Sequence, residues 1–388
     1  MKSLPFGVLM LLSLLVSAAV SFGITPIVKR VAYKVGAVDV PKDERRMHSV
    51  PIPRLGGLAI AIAFLLTVVL FAQVGEQMQG ILLGAVVILV LGVLDDCLTL
   101  RAWFKFLVQI FAAYLVTSHG CTIRYFTNPI VTSSVQYLDL GRWSVPITIV
   151  WIVAITNAVN LIDGLDGLAV GVATISSLTM LVIAMLVSEN VVALMMAALA
   201  GGCIGFMPYN LNPAKIFMGD TGSTFLGFVL ATVSIQGLFK FYTIISFAVP
   251  FLMLGLPLFD TCFAILRRLA KGQSPMAPDR SHVHHRLIDM GFNQKQAVAI
   301  LYVISAILGL SAVVLTTSGA LKAMVLLCAL CLAGLISGKI FLSHNENHQE
   351  KTKEKESNDH AIESHDDLRD PPGGGEDGPS GKGTGEQS

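Results

Sequence analysis

Two adjacent carboxylates, Asp95 and Asp96, close an apolar run that ends Leu91-Gly92-Val93-Leu94. At the C-terminus of a helix they face the negative end of the dipole and each other, so a cation must offset them. The choices are a metal ion, or Arg101 and Lys105 just downstream. A second group is Asn157-Ala158-Val159-Asn160-Leu161-Ile162-Asp163-Gly164-Leu165-Asp166-Gly167, with a polar residue at every third position. Each step of three turns a helical side chain by about 300°, so four such residues cannot face one site from a straight helix. The glycines predict that the helix ends near Asp163 and that the chain wraps, letting Asn160, Asp163 and Asp166 converge.

Gly219-Asp220-Thr221-Gly222-Ser223 precedes another apolar run. Thr221 or Ser223 suits a helix cap, the helix start suits a phosphate, and Asp220 is a hard oxygen ligand suited to Mg²⁺. Asp279-Arg280-Ser281-His282-Val283-His284-His285-Arg286 packs three histidines and two arginines into seven residues, 280–286. Zinc and a plain basic surface are alternatives, but arginine among the histidines and no cysteine nearby favour phosphate oxygens. The basic stretch with Arg45, Arg46, His48 and Arg54 reads either as ordinary membrane-surface bias or as a landing site for a lipid phosphate. Acids that hold a divalent ion, and bases and helix starts that hold phosphate, together suit phosphoryl transfer.

The elements that position these groups are membrane helices. The chain of 388 residues is 54% hydrophobic and 14% charged, where soluble domains carry roughly 25% charged residues. Apolar runs predict about eleven transmembrane helices, near 4–27, 55–73, 79–95, 103–118, 145–160, 168–187, 191–207, 223–239, 243–265, 297–316 and 320–342. The fold class is therefore all-α and polytopic. Of the 27 Lys and Arg, 22 fall on one set of connections and five on the other. The rich side is cytoplasmic, which places the N-terminus outside and the C-terminus inside. Every chemical motif lies on the cytoplasmic side. Residues 344–388 carry twelve acids, five bases and almost nothing apolar, and read as a disordered hydrophilic tail after a transmembrane domain over 1–343. Cys328-x-x-Cys331 lies inside an apolar run and reads as membrane-helix packing rather than a redox motif.

The four motifs, in this order, resemble those of the polyprenyl-phosphate N-acetylhexosamine-1-phosphate transferase family over residues 1–343. His282-Val283-His284-His285-Arg286-Leu287 and Pro53-Arg54-Leu55-Gly56-Gly57 resemble the branch that uses UDP-GlcNAc. The branch using UDP-MurNAc-pentapeptide has a lysine-bearing segment that this chain lacks, so Arg45, Arg46 or His48 is expected to take that lysine's place. The resemblance implies transfer of GlcNAc-1-phosphate to undecaprenyl phosphate, releasing UMP and priming a cell-wall glycopolymer. It implies Mg²⁺, with Mn²⁺ able to substitute, held by Asp220 and one of the Asp95/Asp96 pair, with Asp96 taken as the ligand. Asp95, Asp96, Asp163 and Asp166 are then the catalytic carboxylates. Asn160, His282, His284, His285 and Arg286 are the donor contacts. The expected partners are UDP-GlcNAc, undecaprenyl phosphate and the bilayer, with no nucleic acid, and a homodimer is admitted. Alternatives are the pentapeptide branch and, from another class, a secondary transporter, which would place its charges near the midplane of two matching halves.

Overall fold

In a computed structural model of the chain, the described residues are 5–40, 51–127, 137–237, 244–270 and 282–318, with 272, 322, 324 and 326. Their helices are α1 (Phe6–Val35), α2 (Gly57–Phe71), α3 (Glu76–Leu98), α4 (Ala102–Ser118), α5 (Ser144–Leu161), α6 (Leu168–Leu186), α7 (Asn190–Asn210), α8 (Gly219–Gly237), α9 (Ile244–Met253), α10 (Gly255–Ala270), α11 (Val283–Asp289) and α12 (Gln294–Ser318). Six helices are long and apolar enough to cross a bilayer, and α2 and α4 are shorter apolar helices. The protein is an all-α polytopic membrane protein. Helices stand at ten of the eleven expected spans. The eleventh span lies almost wholly outside the described residues, as do Arg45, Arg46, His48 and the tail 344–388.

The ninth expected span is two helices, α9 and α10, with a break at Leu254. Pro257 has no N–H to give the Met253 carbonyl four residues back. The Ser176 hydroxyl of α6 donates to that carbonyl at 2.9 Å. Pro26 does the same inside α1, and the Tyr209 hydroxyl of α7 donates to the Phe22 carbonyl at 3.2 Å. In hydrocarbon an orphan carbonyl is costly, so a proline is tolerated where a neighbouring helix supplies the donor.

Helices pack here through small residues. Ser13, Ser17, Ser21 and Thr25 form the buried stripe of α1. A Cβ at Gly201 or Gly205 of α7 would stand 2.2 Å from the carbonyl of Leu14 or Ala18, and the Ser17 hydroxyl donates to the Ala198 carbonyl at 2.6 Å. That is the close backbone approach that small-xxx-small spacing permits. At the centre stands α8, buried from Thr221 through Gly237 and packed against α2, α3, α5, α6 and α7. Large apolar side chains such as Phe111, Val150 and Phe259 stay exposed on the bundle, as lipid-facing residues must.

Short strands decorate the ends. β1 (Val38–Asp39) pairs antiparallel with β2 (Ile52–Pro53), and β3 (Tyr125–Thr127) with β4 (Tyr137–Asp139) at the opposite end of the bundle. Behind β2, Phe217 N–H donates to the Pro53 carbonyl at 2.8 Å, and Gly56 and Gly57 N–H donate to the Phe217 and Met218 carbonyls at 2.9 and 2.8 Å. This backbone ladder docks the α7–α8 connection onto the start of α2, and it fixes both Arg54 and Asp220.

Candidate active site

The acidic end of α3 is solved by two neighbours. Asp95 accepts the Leu100 N–H at 2.7 Å and the Lys105 ammonium at 2.9 Å, and Lys105 also bonds Asp220 at 2.7 Å. Lys105, one turn into α4, is thus the cation shared by two carboxylates, one of the two offsets the sequence allows. Asp96 accepts the Asp220 N–H at 3.1 Å, the Thr221 N–H at 3.0 Å and the Thr221 hydroxyl at 2.6 Å. Its side chain is fully buried, and Arg54 Nε approaches at 3.4 Å. Asp96 therefore caps α8 from the end of α3 and trades an unfavourable dipole end for a favourable one. The sequence offers Thr221 or Ser223 as that cap; the cap is Asp96, 124 residues away from Asp220 in sequence. The approach needs Gly92 and Gly219, where a Cβ would stand 2.4 Å from Thr221 Cα and from Asp96 Oδ2 respectively, and Gly219 also has φ +72°.

The α5–α6 connection behaves as its spacing predicts. α5 ends at Leu161, the chain turns through 162–167, and Asn160, Asp163 and Asp166 line one cleft. Asn157 points elsewhere and pairs with Gln109 of α4 at 2.6 Å. Asn160 accepts the Ser223 hydroxyl at 2.6 Å. Asp166 accepts Asn212 Nδ2 and the Ala214 N–H, both at 3.0 Å, while Asn212 also donates to Gln294 at 2.7 Å. The Tyr302 hydroxyl of α12 donates to the Gly167 carbonyl, and its ring fills the space a Cβ at Gly171 would take. Burial, and then the charges of Asp220, Asp96 and Asp166, push the Asp163 carboxyl up to about 8.

The histidine motif forms α11. Asp260 of α10 accepts His282 Nδ1 and the Val283 N–H, both at 2.9 Å. The His284 ring is buried against Gly164, where a Cβ would stand 2.3 Å from Nε2. Burial, helped by His285 and His282, holds His284 down at about 4, so it is neutral at pH 7. His285 lines the cleft. Arg286 is exposed and lies over the Phe263 ring at 5.9 Å, away from the cleft wall. Of the four residues expected to contact the donor from this motif, the structure brings His285 to the cleft and gives His282 and His284 packing partners.

The cleft has a volume of about 490 Å³. Its walls hold Asp39, Asp96, Asp163, Asp166 and Asp220 against Arg54 and His285. Arg54 is 3.8 Å from Asp39 and stands in the cleft wall, while Arg45, Arg46 and His48, expected in the lysine's place, lie outside the described residues. Sequence reasoning also passed over Asp260, Asn212, Gln294 and Tyr302. An acid in an apolar run was the available signal for Asp260; none marked the other three.

A profile of glycosyl transferase family 4 matches residues 78–238, which include Asp95 through Asp220. The chain is 44% identical over 296 residues to the probable undecaprenyl-phosphate N-acetylglucosaminyl 1-phosphate transferase of Bacillus subtilis (strain 168), covering 76% of this chain and 82% of that protein. It is 34% identical over 316 residues to the decaprenyl-phosphate N-acetylglucosaminephosphotransferase of Mycolicibacterium smegmatis, covering 74% and 77%. It is 28% identical over 321 residues to the undecaprenyl-phosphate alpha-N-acetylglucosaminyl 1-phosphate transferase of Escherichia coli O157:H7, covering 80% and 85%. The matched length and identity, and the motif residues inside the matched region, show that the chain belongs to glycosyl transferase family 4.

Proposed function

We propose that this cleft transfers GlcNAc-1-phosphate from UDP-GlcNAc to a polyprenyl phosphate, undecaprenyl phosphate in the simplest case, at the cytoplasmic face of the membrane. One observation carries the reading: a cleft of carboxylates with Arg54 and His285 sits at one end of an apolar helix bundle. A lipid phosphate and a soluble nucleotide can meet only at such a place. The names of the relatives supply the sugar, and the Lys and Arg bias supports the cytoplasmic side.

The donor set suits Mg²⁺. Asp95 and Asp220 compete for one ammonium, and burial together with three neighbouring carboxylates raises Asp163, so the cleft is short of positive charge. Among the described residues no three acidic or histidine side chains already stand together at ligand spacing. Asp220 and Asp163 would hold the ion, while Asp96, with both oxygens engaged, fixes the backbone at Asp220. When bound, Mg²⁺ would supply charge neutralisation for the leaving UMP.

The remaining work falls to the chain. An oxygen of the lipid phosphate attacks the β-phosphorus, the bond from that phosphorus to the oxygen bridging the two phosphates breaks, and UMP keeps that oxygen. A phosphate monoester has a second pKa near 6 and is mostly a dianion at neutral pH, so no strong base is needed. Arg54 in the cleft wall draws phosphate oxygens toward the carboxylates. The test is UMP release by the detergent-purified protein with undecaprenyl phosphate, Mg²⁺ and either UDP-GlcNAc or UDP-MurNAc-pentapeptide. UMP from UDP-GlcNAc that depends on both lipid and metal supports the reading. UMP from the pentapeptide donor alone overturns the sugar, and none from either donor overturns the reaction.

A further inference from the structure

Resting on that reading of the cleft, we propose that Asp260 is a positioning residue of the transfer: it seats the histidine helix α11 against the Asp163 loop. Its own helix makes the case. α10 exposes Phe259, Phe263 and Leu266, and it buries Leu256, Asp260, Ala264 and Arg268, a stripe at every fourth position. A carboxylate on the buried stripe of an apolar helix is costly unless its oxygens are engaged. Both are: Oδ2 faces His282 Nδ1 at 2.9 Å and Oδ1 accepts the Val283 N–H at 2.9 Å. Asp260 and His282 are 5% and 6% exposed, so water does not compete for the pair.

The pair sets both a proton and a position. An ionised carboxylate only accepts, so His282 carries a proton on Nδ1. The His282 ring stacks on His284 with centroids 5.7 Å apart and planes 5° from parallel. His284 in turn lies on Gly164, the neighbour of Asp163. A continuous line of packed rings therefore runs from Asp260 to the acidic loop. None of these rings can shift without moving the next, because the far end is held by two hydrogen bonds to one carboxylate.

Asp260→Asn tests this in place. Its amide oxygen can still accept the Val283 N–H, but its amide nitrogen then faces Nδ1 and forces the proton of His282 onto Nε2. The expected result is a kcat for UMP release lowered by about ten- to a hundredfold with KM for UDP-GlcNAc changed less than about threefold, since a misplacement near 1 Å can cost about a hundredfold. Asp260→Glu should recover part of the loss, and Asp260→Ala should lose more than Asn. Side-chain ¹⁵N spectra of histidine-labelled protein give a readout that needs no activity. The resonance pair that disappears in His282→Ala should show a protonated Nδ1 in the parent and a protonated Nε2 in Asp260→Asn. Full kcat in Asp260→Asn, or an unchanged His282 tautomer, overturns the proposal. If the parent itself releases no UMP, the proposed reaction fails while the spectra still decide whether Asp260 sets His282.

Discussion

Replacing Gly164 with alanine adds one methyl group at the joint between the histidine helix and the acidic loop. The backbone accepts it, since Gly164 is not among the glycines with positive φ. The space does not: the new Cβ would stand 2.3, 2.9 and 3.1 Å from Nε2, Cε1 and Cδ2 of His284. Non-bonded carbon and nitrogen prefer separations near 3.5 Å, so the ring must withdraw by about 1 Å. It cannot withdraw freely, because His282 stacks on it and is tied to Asp260. Overpacking of this size costs roughly 1–3 kcal/mol. The strain divides between the histidine helix and the loop carrying Asp163, and a displacement of about 1 Å at the reacting groups lowers kcat by up to about a hundredfold. The assay is UMP release with saturating undecaprenyl phosphate, run beside a thermal melt in detergent. Gly164→Ala should lose at least tenfold in kcat and melt several degrees lower. A variant with parental kcat and melting temperature would refute the claim that His284 and the Asp163 loop form one packed unit.

Lys105→Met leaves Asp95 and Asp220 without their shared ammonium; both ion pairs are partly solvated, so the expected loss is about 1–2 kcal/mol without divalent ion, read by thermal melts. Added Mg²⁺ should stabilise that variant more than the parent, and equal stabilisation would count against the shared-cation arrangement. Asp163 binds its proton more tightly folded than unfolded, so between pH 4 and about 8 the folded state holds the extra proton. Its contribution to stability is therefore greatest below that window and is lost as pH rises through it. In EDTA the melting temperature should fall across this range in the parent and fall less in Asp163→Asn, and identical slopes would refute the assignment. Tyr302→Phe removes the donor to the Gly167 carbonyl and should cost about 1 kcal/mol, while Gly171→Ala, whose Cβ would stand 2.0 Å from Tyr302 Cζ, should cost more; melts that rank them the other way would contradict the packing.

Most of the fold was legible because hydropathy is a local signal. A helix stands wherever the sequence placed a span within the described residues, and the turn at 162–167 followed from four polar residues too closely spaced to share a helix face. The break at Leu254 was not legible, because α9 and α10 are both apolar and composition does not register a missing N–H. Pro250 and Pro257 were the only sign. At the site, the sequence identified the carboxylates but not their partners. Asp96 looked like a ligand or a base; that it caps α8 depends on a helix end brought to it from far along the chain. The three histidines of one motif looked equivalent, and only the packing against Asp260 and Gly164 separates His282 and His284 from His285. Arg54 was legible as part of a basic stretch suited to a lipid phosphate, but nothing local told it from Arg45, Arg46 and His48.

The central claim is that one phosphoanhydride is exchanged for another at this cleft. UDP-GlcNAc labelled with ³²P only at the β-phosphate tests it most directly, with detergent-solubilised protein, undecaprenyl phosphate and Mg²⁺. The account predicts label in the organic-extractable lipid and unlabelled UMP, in equal amounts. Label appearing in UDP while the lipid gains only the sugar, or in free phosphate, would place the broken bond elsewhere and contradict it.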